Sequence, residues 1–473
     1  MIVTAEKSYR AEIGIKDGRI AQISGGQVSA AAQVLDAEGK WILPGIIDVH
    51  THMELPMELA TSCDDFTTGT RAAACGGVTT IIDFSLHRKG TSLEASLRDR
   101  RRAADGRVAV DYGLHAEIVE VNEAILDEIP RLVRDGVTSF KLYMAYRRDG
   151  RMVDDGGLYA VLKRTAEVSG LVMVHAENGP LLEHLTEQLL MDGKVAPIFH
   201  ARSRPHQVEE EAVRRAIYLS RFAHGHLYIV HLTTSQALSA VQETHDGGFP
   251  VWAETCPQYL LLDETVYLGE GGGDFIATPP LRSPKDREAL WLGLAQGGIS
   301  VISTDHCPFT KEQKRLGMER FDRIPNGLPG VETSLPLIYT HGVYQGHLTA
   351  NQLVAAMSAN PAKIFGLYPA KGALEVGSDA DLVIFDPQVE FTISAKALHM
   401  NTDFSPYQGF TCRGAVQLTM LRGRIIAQNS QFCGSSGYGQ FLHRRIFEPD
   451  NCQFWSTHEK ASSSAGGPAG QED

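Results

Sequence analysis

The chain has no CxxC pair among its seven cysteines (Cys63, Cys75, Cys256, Cys307, Cys412, Cys433 and Cys452), an odd number without repeated spacing. That argues against a thiolate zinc knuckle or a disulfide framework. Scattered thiols fit a reducing compartment. Any run of about 18 apolar residues is also missing, and the N-terminal MIVTAEKSYRAEIG lacks the apolar stretch of a secretory signal. A cytoplasmic location is therefore expected, with no membrane partner. Positive charge is in deficit, 44 Lys and Arg against 57 Asp and Glu for a net −13, which disfavours nucleic acid and anionic membranes as partners. Compositional bias is absent too. Ordinary fractions, 43% hydrophobic and 21% charged, leave no disordered or fibrous reading for the main body. Only the segment from about Glu459 onward, ending SSSAGGPAGQED, is low in complexity and expected to be disordered.

What is present is repetition. Eight short apolar runs rich in Val and Ile recur in order: Leu43–Val49, Val78–Phe84, Val110–His115, Val137–Met144, Leu171–His175, Leu227–Leu232, Val251–Thr255 and Ile299–Thr304. They mostly lack two-residue alternation, as parallel strands buried on both faces do. Between them lie stretches of helical period, such as Ser92–Ala104, Asn122–Val133, Gly157–Val168, Val208–Phe222 and Pro284–Leu294. Eight βα repeats in 473 residues predict an α/β fold, a closed (β/α)8 barrel of the TIM type, with an open doubly wound sheet as the alternative. The flanks differ. Ala11–Ser24 reads as a hairpin around Asp17–Gly18, and Gly377–Pro387 and Val416–Ile426 read as strand and turn. Both ends together predict a small β-sandwich domain. The expected limits are 1–40 and 366–430 for that domain, 41–365 for the barrel and 431–473 for a C-terminal tail.

Residues able to bind metal or move protons fall where these strands end. His50 and His52 follow the first, Lys141 lies inside the fourth, His175 ends the fifth, His231 the sixth and Asp305 the eighth. Barrel enzymes gather their active sites at that rim. One such histidine alone is more often a packing residue; four with a carboxylate at one rim point to a metal centre. In extended chain, His50 and His52 share a face, so both rings reach one ion. Lys141 stands in the apolar Ser139–Tyr143, where an ammonium is costly to bury. A salt bridge to a carboxylate would relieve that cost. So would reaction with carbon dioxide to a metal-bridging carbamate. On residues alone the two stand even.

These motifs resemble the cyclic amidohydrolases, specifically the dihydropyrimidinase and D-hydantoinase (phenylhydantoinase-like) family. The resemblance runs from about Ala11 to Pro449. PGIIDVHTHMELP (44–56), DDFTTGTRAAACGGVTTIIDF (64–84), SFKLYMAY (139–146), VHAENG (174–179), IVHLT (229–233), ETCPQYLLLD (254–263), ATPPLR (277–282), STDHCPF (303–309) and PNGLPGVE (325–332) carry it. It implies a binuclear hydrolase that opens the cyclic amide of 5-substituted hydantoins or dihydropyrimidines to N-carbamoyl amino acids. His50, His52 and Asp305 would hold one divalent ion, His175 and His231 the second, and carbamylated Lys141 both. Zinc is the expected metal, with manganese or cobalt also accepted by such donors. Tyr146 would donate its phenol to the attacked carbonyl, and Asp305 would carry the proton. Asn326 and Thr278 would bind the ring through the main chain, Thr278 standing where serine is common in the family. A homotetramer contacted through the C-terminal segment is implied as well. Family chains usually begin with a further strand, so with Ile2–Val3 so near the start, either an edge strand is missing or the start is misassigned.

Alternatives narrow by residue. Dihydroorotase-like chains carry an arginine shortly after the paired histidines, where Met53-Glu54-Leu55 stands here. An allantoinase-like hydrolase is the nearer alternative. Non-catalytic relatives of the same fold have lost metal ligands, and this chain keeps all six positions. In the loops over the mouth, Leu55, Met57 and Leu59 offer an apolar wall. Arg148 and Arg151 either receive polar or acidic ring substituents or, more simply, are solvated.

Overall fold

The computed structural model describes residues 1–26 and 31–452. Eight parallel strands form one sheet in chain order: β1 (Ile46–Thr51), β2 (Val78–Phe84), β3 (Asp111–Glu117), β4 (Ser139–Tyr143), β5 (Leu171–His175), β6 (His226–Ile229), β7 (Trp252–Thr255) and β8 (Val301–Ile302). The ring closes beyond β8, where Thr51 bridges His306 in parallel register. There the His306 amide donates to the His50 carbonyl (3.2 Å), and the His52 amide donates to the His306 carbonyl (2.8 Å). This is the expected barrel rather than an open sheet.

Period two explains how continuous apolar strands serve two cores. Ile47, Val49, Ile82, Phe84, Met173, Tyr228 and Val230 point into the barrel and pack on one another, with Ile364, Phe365 and Phe447 joining the same cluster. Their neighbours Ile46, Ile81, Val172, Val174, Leu227 and Ile229 point outward and pack beneath the helices. The helices start where side chains cap them. Ser92 accepts from the Ala95 amide ahead of Leu93–Ala104, and Asn122 accepts from Ile125 ahead of Glu123–Arg134. Arg101 and Arg102 complement the C-terminal dipole of the first.

Both chain ends build a second, seven-stranded sheet. Its order is Gln431–Phe432, Arg424–Gln428, Thr411–Leu421, Leu382–Thr392, Trp41–Pro44, Ile2–Val3 and Ser8–Tyr9. Ile2–Val3 is thus itself a strand, paired on both sides. The hairpin Glu12–Lys16/Arg19–Ser24 turns through Asp17 and Gly18, both at positive φ (51° and 78°), as a tight two-residue turn requires. The low-complexity end lies outside the described residues. Among the described residues no helix is long and apolar enough to cross a membrane, and all seven cysteines are free.

Candidate active site

At the C-terminal rim of the barrel the expected residues converge on a cavity of about 380 Å³. His50, His52, Lys141, His175, His231, Asp305, Tyr146, Thr278 and Asn326 all line it. The rings of His50 and His52 lie 5.1 Å apart, those of His50 and His231 5.5 Å, and those of His175 and His231 4.6 Å. Oδ1 of Asp305 faces both His50 Nε2 (3.2 Å) and His52 Nε2 (3.1 Å). One donor atom from each of these three falls within 4.8 Å of the others. Across the cavity, His175 Nδ1 faces His231 Nε2 at 2.9 Å.

Carboxylates behind the rings set their orientation. Glu254 contacts His50 Nδ1 closely, and Glu177 lies 2.8 Å from His175 Nε2. Each fixes one ring nitrogen and turns the other toward the cavity, as ligating histidines require. Glu254 is in turn held by the Tyr228 hydroxyl (2.9 Å) and the His231 amide (3.2 Å). Burial pushes its carboxyl up to about 7. Neither acid belongs to the set that the sequence pattern singles out. The available signal was a carboxylate inside a buried run, Glu254 in Trp252–Thr255 and Glu177 two residues past His175.

Lys141 is 1% exposed. Among the described residues no carboxylate comes within ion-pair distance of its amine, which stands 5.3 Å from the Phe84 ring centroid and 5.2 Å from that of Tyr143. Desolvation lowers its pKa to about 8 against the pull of Glu254, Asp305 and Glu117. The salt-bridge solution for this lysine is therefore not the one adopted. Burial also lowers His50, His175 and His231, which keeps the imidazoles neutral and their lone pairs free. His231 Nδ1 is buried and has no hydrogen-bond partner among the described residues. Neutral imidazoles aimed at one point, a shared carboxylate oxygen and an orphaned ring nitrogen form a donor set that fits divalent cations.

Three of these residues adopt left-handed backbone: Tyr146 (φ 67°), His231 (φ 38°) and Asp305 (φ 51°). Such conformations cost roughly 1–3 kcal/mol each for non-glycine residues and cluster at functional sites. Tyr146 packs 4.8 Å from the His175 ring. Burial, reinforced by Glu177, raises its hydroxyl well above the usual tyrosine range, so it stays a donor. In the lining of the same cavity Thr278 Oγ1 donates to Asn326 Oδ1 (2.8 Å).

The two lid arginines separate. Arg148 pairs with Glu187, exposed and away from the cavity. Arg151 lines the cavity, but Glu117 holds its guanidinium tightly, 5.7 Å over the Tyr143 ring. Leu55, Met57 and Leu59 do form part of the wall. A second donor set, Cys75, Glu332 and His399, also gathers within 4.8 Å. There both Glu332 oxygens already accept from His399, Oε1 from Nδ1 (2.7 Å) and Oε2 from the amide (2.6 Å). It reads as a closed pair pinning the 399 loop to the barrel.

The amidohydrolase family model matches residues 41–426. The chain is 43% identical over 448 residues to a D-hydantoinase of Geobacillus stearothermophilus, covering 94% of this chain and 95% of that one. It is 43% identical over 453 residues to a D-phenylhydantoinase of Escherichia coli K12, covering 95% and 97%. The crystal structure of a dihydropyrimidinase from Brevibacillus agri superimposes with a TM-score of 0.93 at 40% identity, over 94% of this chain and 98% of that one. With that fold, that rim and those relatives, the chain belongs to the amidohydrolase family, among the cyclic amidohydrolases of hydantoinase and dihydropyrimidinase type.

Proposed function

We propose that this enzyme opens the ring amide of 5-substituted hydantoins, dihydropyrimidines or both, releasing N-carbamoyl amino acids. The family implies a binuclear metal centre. In the proposal His50, His52 and Asp305 hold one cation, His175 and His231 the other, and Lys141 bridges them as its carbamate. The observation that carries this reading is Lys141 itself: a fully buried amine with no ion pair among the described residues, in a cavity lined by four imidazoles and one carboxylate of the expected set. Its neutral form adds to carbon dioxide, forming a nitrogen–carbon bond and releasing one proton, and so becomes an anion with two oxygens. Zinc suits the mixed donors best, and when bound the pair supplies Lewis acidity and activates water near neutral pH.

The chain's own groups do the rest. Oδ1 of Asp305 faces the rings of His50 and His52, so in the proposal this carboxylate takes the proton from the attacking water and passes it to the leaving ring nitrogen. Tyr146, held protonated by burial, donates to the oxygen that becomes negative during attack. The main chain at Thr278 and Asn326 holds the ring, and Leu55, Met57 and Leu59 face its substituent. By family likeness the proposal extends to a cytoplasmic homotetramer contacted through the C-terminal segment, with the domain limits given above.

The test is metal content with turnover of dihydrouracil, 5-phenylhydantoin and allantoin, for the natural chain and Lys141→Ala. Expected are about two metals per subunit, activity lost in the variant, and partial restoration by a short-chain carboxylic acid. Preference for allantoin would move the enzyme to the allantoinase reading. A metal-free natural chain that opens no ring would remove the proposal.

A further inference from the structure

The five-residue helix Lys311–Arg315 carries a lysine as deeply buried as Lys141. Lys314 is 1% exposed, and among the described residues no carboxylate comes within ion-pair distance of it. Its amine lies instead 2.7 Å from the main-chain oxygen of Ile276 and 2.7 Å from that of Pro325, donating to both. The Phe309 ring lies beneath, 5.6 Å away. A core position that only needed filling would take leucine or methionine, because an amine without a counter-charge is costly to bury. What the amine adds is two directed hydrogen bonds to two separate loops.

Those loops are the ones that carry Thr278 and Asn326. Ile276 lies two residues before Thr278, and Pro325 immediately precedes Asn326. Further contacts fix the same two strips. The Gly327 amide donates to Ile276 O (3.0 Å), and His200 Nε2 lies 2.8 Å from Ala277 O. Gly327 has φ 148°, and a Cβ there would fall 2.3 Å from the Cys307 carbonyl, so the second loop is pressed directly on the rim. Ile276 O therefore has two donors. Pro325 O has only Lys314 among the described residues, and would be left an unpaired buried carbonyl without it.

We infer that Lys314 is a positioning residue for substrate binding: its amine, shared between Ile276 O and Pro325 O, sets the separation of the two main-chain segments that grip the ring. This rests on Thr278 and Asn326 being the ring-binding pair of the proposed function. Main-chain contacts to a ring persist from ground state to transition state, so loosening them weakens binding more than it slows chemistry.

The experiment uses metal-loaded Lys314→Met, which fills the space without donors, and Lys314→Gln, which keeps an amide donor. Each is assayed with 5-phenylhydantoin and dihydrouracil and followed by hydrogen–deuterium exchange. Lys314→Met is expected to raise KM at least about tenfold and change kcat less than about threefold, the split that marks lost uniform binding. Metal content stays at that of the natural chain. Exchange quickens at 276–279 and 325–328 but not at 50–52 or 171–175. Lys314→Gln falls between.

An unchanged KM in a fully metallated Lys314→Met overturns the inference. So does a fall in kcat without a rise in KM. If neither variant folds, the lysine serves the fold at large and the inference also fails. A natural chain inactive on every cyclic ureide would sink the proposed function instead, while exchange at the two segments still decides whether Lys314 clamps them.

Discussion

Lys141 and Lys371 are buried almost equally, at 1% and 2% exposure, and sit in opposite electrostatic settings. Around Lys371 three carboxylates close in: Asp111 at 2.6 Å, Asp381 at 2.7 Å and Asp379 at 3.0 Å. Arg422 pairs with the other oxygen of Asp111, and its amide donates to Asp381 (2.7 Å). Asp111 opens strand β3, whereas Lys371, Asp381 and Arg422 belong to the C-terminal part that builds the small sheet. The cluster thus bolts that part to the bottom of the barrel. Its carboxylates hold the lysine charged, well above its ordinary pKa, while burial alone drags Lys141 down to about 8. One lysine is matched to its surroundings and the other is left unmatched. Unmatched buried charge is what a folded chain retains where something else is to bind.

Substituting each by methionine tests that contrast most severely. Lys141→Met should abolish ring opening and the second metal, yet leave the metal-free protein as stable as before, since no ion pair is broken. Lys371→Met should do the reverse. Stripping the shared cation from two buried acids and the half-buried Asp379 is expected to cost about 3–5 kcal/mol of stability, with kcat per folded molecule unchanged. Thermal melts of metal-free protein beside assays at low temperature read both. If Lys371→Met loses activity without stability, the division of labour is wrong.

The pH response sharpens the same point. Burial and Asp111 lift the Asp381 carboxyl from its ordinary 3.8 to about 6, opposed by Lys371. The folded state thus binds more protons than the unfolded one between those values, and the contribution of this group declines as pH rises through about 6. Removing Lys371 removes the opposing charge, so the folded value climbs further and the decline extends upward. The stability deficit of Lys371→Met should therefore be smaller near pH 5 than near pH 8. A deficit independent of pH would mean that lost packing, not unpaired carboxylates, accounts for it.

At the mouth, Tyr146→Phe should lower kcat by roughly 10²–10³ with metal content intact, the usual cost of one donor to a developing oxyanion. It would mark the strained tyrosine as serving the reaction and not the fold. A drop in KM alone, with kcat preserved, would take Tyr146 out of that role.

Much of this was legible in sequence because it is periodic or local. The eight strands follow from apolar runs, and the helix starts from Ser92 and Asn122. The hairpin follows from Asp17–Gly18, and the rim residues from their place at strand ends. Pairings across long separations were not legible. Glu254 behind His50, Asp111 under Lys371 and Lys314 between Ile276 and Pro325 are contacts between segments whose spacing carries no period. Lys314 also sits in the charged stretch Lys311–Arg315, which reads as solvated surface. The Ile276 and Pro325 loops, closing on its amine, and the Phe309 ring bury it.

The smallest effect concerns the lid. Arg148 meets Glu187 in an exposed pair, and such pairs contribute little once solvent screens them. Arg151 is different, since Glu117 behind it is fully buried and the guanidinium reaches the cavity wall. If Arg151 receives acidic substituents it must do so with its charge already balanced by Glu117, so the net attraction is weak. Arg151→Ala is accordingly expected to shift the ratio of kcat/KM for 5-carboxyalkyl over 5-phenyl hydantoins by only about threefold against the acid, within the worth of a screened contact. Arg148→Ala should shift it not at all. An equal shift in both would place the effect in the overall charge of the lid. A tenfold or larger loss confined to Arg151→Ala would show that this arginine, though paired like Lys371, keeps charge in reserve for the substrate.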